Sequence, residues 1–354
     1  MLVKSQLMNL KPYTPAKPVE RDGSEKIELV RLNSNENRHG CSPKVIEAVQ
    51  QLNQDFSYYP DGLATELTNR LAEYLKVSTS QIILGAGGDE VIQIISRSVL
   101  TPGDNIVQAD LTFSQYSLHA VIEGAEIRNV PLVEGTHDLV GMAAAADDRT
   151  KIIWICNPNN PTGTYINASE LNSFMEKVSP NTLVVVDEAY FEYVSASDFP
   201  NTIELIETYQ NLLVLRTFSK IYGLASFRIG YGIANEELIS RLNIVRLPYN
   251  TARFSQVAAC AALEDMEFVK FSYEQNKLGL TQLEEFFDKE NIKYYKSQAN
   301  FIYIVVKNSE EIAKLLENKG FIVRKFLEGI RITVGTQQDN QLLIQSMENI
   351  FVNQ

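Results

Sequence analysis

The segment Leu212-Leu213-Val214-Leu215-Arg216-Thr217-Phe218-Ser219-Lys220 passes from an unbroken apolar stretch into a polar end that closes on a lysine. Consecutive large apolar residues with no Gly or Pro among them read as a short strand covered on both faces. Outward from it the same pattern recurs. Strand-like runs stand at residues 82–84, 106–108, 152–156 and 183–186, and the apolar spacing turns helical over 43–52, 65–74, 90–99 and 169–177. Strands alternating with helices predict an α/β fold, a mostly parallel sheet with helices on both faces. Beyond it, a helical stretch at 247–264, a helix at 269–289, strands at 293–295 and 301–306, a helix at 310–319 and strands at 322–325 and 329–334 predict a smaller α+β domain. Pro12, Pro15 and Pro18 make the N-terminal segment read as an extended arm. The expected organisation is an arm over 1–40 packing with the small domain or a partner subunit, a large domain over 41–250, and a small domain over 251–354 that includes a linking helix.

In open α/β sheets, ligands bind past the carboxyl ends of the strands. A lone Lys is ordinarily a solvated surface residue, but Lys220 follows a buried strand, with Thr217 and Ser219 before it and Arg228 after it. Those apolar surroundings lower an amine's pKa. After residues 183–186 comes Asp187-Glu188-Ala189-Tyr190, a carboxylate suited to a cationic ring nitrogen with a phenol in reach of the same ligand. Asp187 equally suits a helix cap, or the magnesium strand of a P-loop ATPase, which the lack of a Walker A loop opposes. After 152–156 comes Asn157-Pro158-Asn159-Asn160-Pro161-Thr162-Gly163, whose prolines and glycine stiffen a turn and hold its amides ready for a ligand oxygen. After 82–84 comes Gly85-Ala86-Gly87-Gly88-Asp89-Glu90, whose backbone N–H groups at the start of a helix suit a phosphate. A plain glycine turn accounts for that stretch as well, since Glu90 stands where GxGxxG needs its last Gly.

Composition narrows the partners. With 32 basic against 44 acidic residues, the chain of 354 carries a formal charge of −12, which opposes general affinity for nucleic acid or anionic membranes. An anionic ligand must then be gripped locally. Cys41, Cys156 and Cys260 lack the spacing of a disulfide framework or zinc site, and His39, His119 and His137 lack a metal-binding pattern, so no metal is expected. Without an export signal or a membrane-length apolar run, a soluble cytoplasmic protein is the expectation.

Pro-Asn-Asn-Pro-Thr-Gly, Asp-Glu-Ala-Tyr and Thr-Phe-Ser-Lys followed by Arg228, in this order, resemble the fold-type I pyridoxal-phosphate (PLP) aminotransferases. Leu10-Lys11-Pro12-Tyr13, Leu32-Asn33-Ser34-Asn35-Glu36-Asn37, Tyr58-Tyr59-Pro60-Asp61, Thr112-Phe113-Ser114-Gln115-Tyr116 and Arg331-Ile332-Thr333-Val334-Gly335-Thr336 narrow the resemblance to the histidinol-phosphate aminotransferase family. It implies that Lys220 carries the cofactor as a Schiff base and then moves the substrate's Cα proton, that Asp187 keeps the pyridine nitrogen protonated, and that Asn160 and Tyr190 bind the ring oxygen. It further implies Phe113 stacked on the ring, and Gly88, Asp89, Thr217, Ser219 and Arg228 around the phosphate. Tyr59 would be contributed across a homodimer interface to the neighbouring site. Tyr13, Asn35, Arg324 and Arg331 would bind substrate.

The implied reaction converts histidinol phosphate and 2-oxoglutarate to imidazole-acetol phosphate and glutamate. An aromatic amino-acid aminotransferase and a threonine-phosphate decarboxylase share the same scaffold, since guanidinium groups bind carboxylate and phosphate alike. Aminotransferase-like sensor domains of transcription regulators are opposed by the absence of a basic or helix-turn-helix extension. The sequence departs from the family pattern at Arg38-His39 and at Ala109-Asp110, where Pro is usual, which bears on substrate preference more than on cofactor chemistry.

Overall fold

The computed structural model describes residues 3–10, 29–52 and 56–351. Among them the strands are, in chain order, β1 (Val30–Leu32), β2 (Ile82–Gly85), β3 (Asn105–Ala109), β4 (Glu126–Val130), β5 (Thr150–Cys156), β6 (Leu183–Asp187), β7 (Leu212–Thr217), β8 (Gly230–Ala234), β9 (Tyr294–Tyr295), β10 (Phe301–Val305), β11 (Phe321–Phe326) and β12 (Gly329–Thr333). Seven form a sheet in the order β2-β8-β7-β6-β5-β3-β4, and five form a second in the order β1-β11-β12-β10-β9. In the first sheet all neighbours are parallel except those of β8, which runs antiparallel between β2 and β7.

Side chains alternate across a strand, so the central strands divide their apolar residues between two cores. Ile153, Ile155, Val184, Val186, Leu212 and Val214 enter one core. Ile152, Trp154, Cys156, Leu183, Val185, Leu213 and Leu215 enter the other. The parity carries past the apolar runs: Asp187 falls on the Trp154 side and Glu188 on the opposite one. Helices cover both faces, and Gly88–Val99 buries Val91, Ile92, Ile94 and Ile95. A third core, with Leu32, Leu283, Ile302, Ile304, Ile330 and Ile332, lies against the second sheet.

The structure differs from the sequence-based expectation in several places. β4 and β8 were not anticipated: β4 is a polar edge strand, and β8 is Gly-Tyr-Gly-Ile-Ala, whose glycines obscure the apolar signal. Those glycines have a use, because a Cβ on Gly230 would lie 2.7 Å from the Gly88 nitrogen. The helical stretch expected at 247–264 begins only at Arg253, after Pro248 and the left-handed Tyr249 (φ 56°). That helix buries Ala258–Ala262 in the first core. The arm is not extended throughout. Ser5–Asn9 is a 3-10 turn, its N-cap Lys4 and its own Gln6 donate to the Ile122 carbonyl, and β1 pairs in parallel with β11.

Candidate active site

At the carboxyl ends of β5, β6 and β7, facing β11 and β12, lies a cavity of about 430 Å³, a size suited to a small organic ligand. Gly88, Asp89, Phe113, Asn160, Asp187, Tyr190, Thr217, Ser219, Lys220 and Arg228 all line it, as do Asn35, Arg324 and Arg331. Tyr59 does not line the cavity of its own chain; it is 76% exposed and stacks on Tyr249 at 4.6 Å. Tyr13 lies outside the described residues.

One end of the cavity is a cup for an anion. The helix Gly88–Val99 opens there with Gly87 at φ 83°, a conformation glycine adopts without strain. A Cβ at Gly87 would sit 2.4 Å from the Arg228 guanidinium, so a side chain there would fill the cup. Arg228 spans it, donating to the Ala225 carbonyl (3.0 Å) and the Ser219 hydroxyl (3.4 Å), with Asp89 3.5 Å away. Thr217 Oγ1 accepts from the Ser219 N–H at 3.1 Å. Helix N–H groups, hydroxyls and a guanidinium in one concavity are a donor set for a phosphate dianion.

Deeper in stands Asp187, 4% exposed. Its carboxylate accepts from the Tyr116 hydroxyl (2.6 Å) and the Ala189 N–H (3.1 Å). Burial pushes this carboxyl up to about 6, with Asp89 and Glu188 adding to the rise and the two donors opposing it. A cationic ring nitrogen is a partner that such a buried carboxylate suits. The next residue, Glu188, has the opposite arrangement. It is fully buried on the other side of the strand and takes both Nε and an NH2 of Arg216 at 2.9 and 2.8 Å, while Arg216 also covers the Phe191 ring.

Above Asp187 the two sheets meet. Tyr190 accepts at its hydroxyl from Asn35 Nδ2 at 2.8 Å, which leaves its own proton to point elsewhere. Asn35 is left-handed (φ 56°) and is tied by backbone and side chain to Thr333 and by its carbonyl to Asn300. Asn35, expected to bind substrate, lines the cavity while its amide also bonds Tyr190 and Thr333. Asn160 Oδ1 accepts from Arg331, which leaves the Asn160 amide N–H groups as donors. Asn157 and Asn159 brace their turn, bonding Ile166, Leu111 and Thr162. His137 meets the Cys156 carbonyl at 3.0 Å, and burial brings its pKa down to about 4.

Lys220 enters from the end of β7. Its Nζ donates to the Ser34 carbonyl at 3.2 Å and lies 5.8 Å from the centre of the Tyr190 ring. Burial and then the Arg331 guanidinium bring this amine down to about 8, with Asp89 and Glu36 pulling the other way. An amine near neutrality in its basicity is suited both to attack a carbonyl and to shuttle a proton. The opposite end of the cavity is cationic: Arg324 of β11 and Arg331 of β12 are direct cross-strand partners.

The two departures from the family pattern fall outside the cavity lining. Arg38 pairs with Asp339 at 3.1 Å, His39 packs edge-on to Phe271 at 5.4 Å, and Asp110 accepts from the Leu132 N–H. Sequence reasoning gave no role to Tyr116, Glu36, Ser34 or Cys156, all of which touch this site or its carboxylate. Tyr116 stood inside the quoted Thr112–Tyr116 motif, but only the fold brings it to Asp187, seventy-one residues away in sequence.

An anion cup, a buried carboxylate for a ring cation, and a lysine of lowered basicity are together the parts of a pyridoxal-phosphate transferase site, and the cup that a Cβ would fill fits its phosphate. The family model described as aminotransferase class I and II matches residues 27–347. Histidinol-phosphate aminotransferase 2 of Bacillus cereus is 50% identical over all of this chain and 97% of its own length. The histidinol-phosphate aminotransferase of Halalkalibacterium halodurans is 47% identical over all of this chain and 98% of its own. The crystal structure of histidinol-phosphate aminotransferase from Sinorhizobium meliloti in complex with pyridoxal-5'-phosphate superimposes with a TM-score of 0.86 at 26% identity, covering 92% of this chain and 91% of that one. The chain belongs to the class I and II aminotransferases and, within them, to the histidinol-phosphate aminotransferase family.

Proposed function

We propose that this chain transfers the amino group between L-histidinol phosphate and 2-oxoglutarate, with pyridoxal phosphate held in the cavity, as a cytoplasmic homodimer. The cofactor, when bound, supplies a carbonyl carbon that takes the amino group and a protonated pyridine ring that draws electrons from the substrate's α carbon. Gly88, Asp89, Thr217, Ser219 and Arg228 would bind its phosphate. Asp187 would hold the proton on its ring nitrogen, Asn160 and Tyr190 would donate to its ring oxygen, and Phe113 would cover a ring face. Lys220 would be the attachment point, and its Nζ, once freed, would take the proton from the substrate's α carbon and move it to the carbon that had carried the cofactor's carbonyl. With a pKa near 8, the amine is partly unprotonated at neutral pH, as a base must be.

The observation that carries the substrate assignment is the pairing of Arg324 with Arg331 across β11 and β12, both lining the cavity. Two guanidiniums side by side on one cavity wall suit a phosphate dianion better than a single carboxylate. The names of the relatives near 50% identity support the same substrate. The test is the ratio of kcat/KM for histidinol phosphate to that for phenylalanine. A ratio well above one supports the reading. Phenylalanine used as well or better would replace it with an aromatic aminotransferase, and carbon dioxide release from phosphothreonine without use of a keto acid would replace it with a decarboxylase.

The dimer is supported by the exposed stacked pairs Tyr59–Tyr249 and Phe56–Phe254, with Tyr58 and Leu63 also exposed on the same stretch of chain, apolar surface that a monomer would leave wet. In that dimer Tyr59 would complete the partner's phosphate cup. Sedimentation at the mass of a single chain would refute it. Among the described residues no helix is long and apolar enough to cross a membrane.

A further inference from the structure

We infer that Tyr116 is a positioning residue that holds the Asp187 carboxylate ionised and aimed at the cofactor's ring nitrogen by donating its phenolic proton to Asp187 Oδ2. The inference rests on the reading of Asp187 as the ring-nitrogen partner and adds a second residue to that function.

The geometry leaves the Tyr116 hydroxyl little freedom. Its ring is 0% exposed and lies flat on Trp154, with centroids 4.5 Å apart and planes 6° apart, while Phe113 meets it edge-on at 5.6 Å. Tyr116 therefore links the residue that covers the cofactor ring to the residue that faces its nitrogen. The 2.6 Å O–H···O bond is a charge-assisted one between a buried phenol and a buried carboxylate. A phenol can give a proton to a carboxylate but takes no part in neutralising it, unlike the guanidinium that Glu188 receives from Arg216. The negative charge of Asp187 thus stays available for the ring.

The groups around Asp187 act in defined directions. Asp89 and Glu188 raise its pKa by repulsion, and Tyr116 and the Ala189 N–H lower it. The Cys156 thiol, pushed up to about 12 by burial and by Asp187, stays neutral, and Tyr190 is likewise held neutral well above its ordinary value. Loss of the Tyr116 hydroxyl therefore raises the pKa of Asp187, and the carboxylate protonates at a higher pH.

The experiment is a pH titration of the holoenzyme carrying 15N-labelled pyridoxal phosphate, in wild type, Tyr116→Phe, Asp187→Asn and the double variant, read by the ring-nitrogen chemical shift and by cofactor affinity. In Tyr116→Phe the shape and the Trp154 stacking are kept. We expect the pH at which the ring nitrogen loses its partner on acidification to move up by about one unit, with cofactor binding near pH 6 weakened about tenfold. In the Asp187→Asn background the same change should have little further effect, because the acceptor charge is gone. A 3-fluorotyrosine at position 116 keeps the hydroxyl and donates more strongly, so it should move the transition the opposite way. Wild-type behaviour in both position-116 proteins, or equal effects with and without Asp187, would overturn the inference. If Asp187→Asn itself leaves the ring-nitrogen shift unchanged, the assignment of Asp187 fails instead.

Discussion

The two ends of the cavity are built differently. At the large-sheet end, Asp187, Lys220 and the phosphate cup sit just past the ends of parallel strands, each on its own short stretch of chain, and each is braced by local bonds such as Ala189 N–H to Asp187 and Ser219 N–H to Thr217. At the small-sheet end, Arg331 is held through Asn33 and Asn160, and Asn35 through Thr333 and Asn300, contacts between residues 171 to 298 positions apart. On the proposed reading the first end would serve any amine that the cofactor can process, and the second, whose geometry depends on how the two sheets sit against each other, would select among them.

That contrast predicts two kinds of variant. Lys220→Ala should abolish the yellow absorbance of the attached cofactor and reduce turnover by about 10³-fold or more with every substrate, as loss of a proton-transfer group does. A loss confined to one substrate would put Lys220 at the selective end. Asp187→Asn should retain bound cofactor and lose about 10²-fold in kcat, again regardless of substrate. Rates near wild type would mean that another carboxylate faces the ring.

Arg331→Lys should behave otherwise. It keeps the charge but loses the guanidinium fork, so KM for the phosphorylated substrate should rise about tenfold while kcat for a small amino donor changes little. A uniform loss across substrates would erase the distinction between the two ends.

A smaller effect belongs to stability without cofactor. Lys220 titrates near 8 in the folded chain and near its ordinary value of 10.5 when unfolded. Between those values the unfolded chain binds the extra proton, so stability rises with pH across that window and the penalty is fully present below it. Thermal melting of the cofactor-free protein should therefore gain from pH 8 to about 10, and Lys220→Met should flatten that gain. A melting profile unaltered by the substitution would show that the amine is not perturbed as described.

Much of the large-sheet end was legible beforehand because a parallel strand buried on both faces writes an unbroken apolar run, and a residue's place after the run nearly fixes its place in the site. The α/β class, the position of Lys220 and the strand ends carrying Asp187 and Asn160 follow from that periodicity. β8 was not legible, since its glycines serve a close approach to Gly88 rather than a pattern. The Asn35 motif places that residue near a ligand, and only the fold adds that its side chain also bonds Tyr190 and Thr333.

The sequence by itself determined the alternation of strands and helices, the acidic charge that leaves anion binding to local donors, and the family to which its ordered motifs point. Local chemistry suffices for these, because hydrophobic period and turn residues act over a few positions. Only the tertiary structure decided that Tyr116 donates to Asp187, that Asn35 orients Tyr190, and that Arg324 stands opposite Arg331. Each of these contacts joins residues remote in the chain or fixed only by strand register, and a hydrogen bond a few ångströms long is specified by the packing of whole elements rather than by the residues that make it.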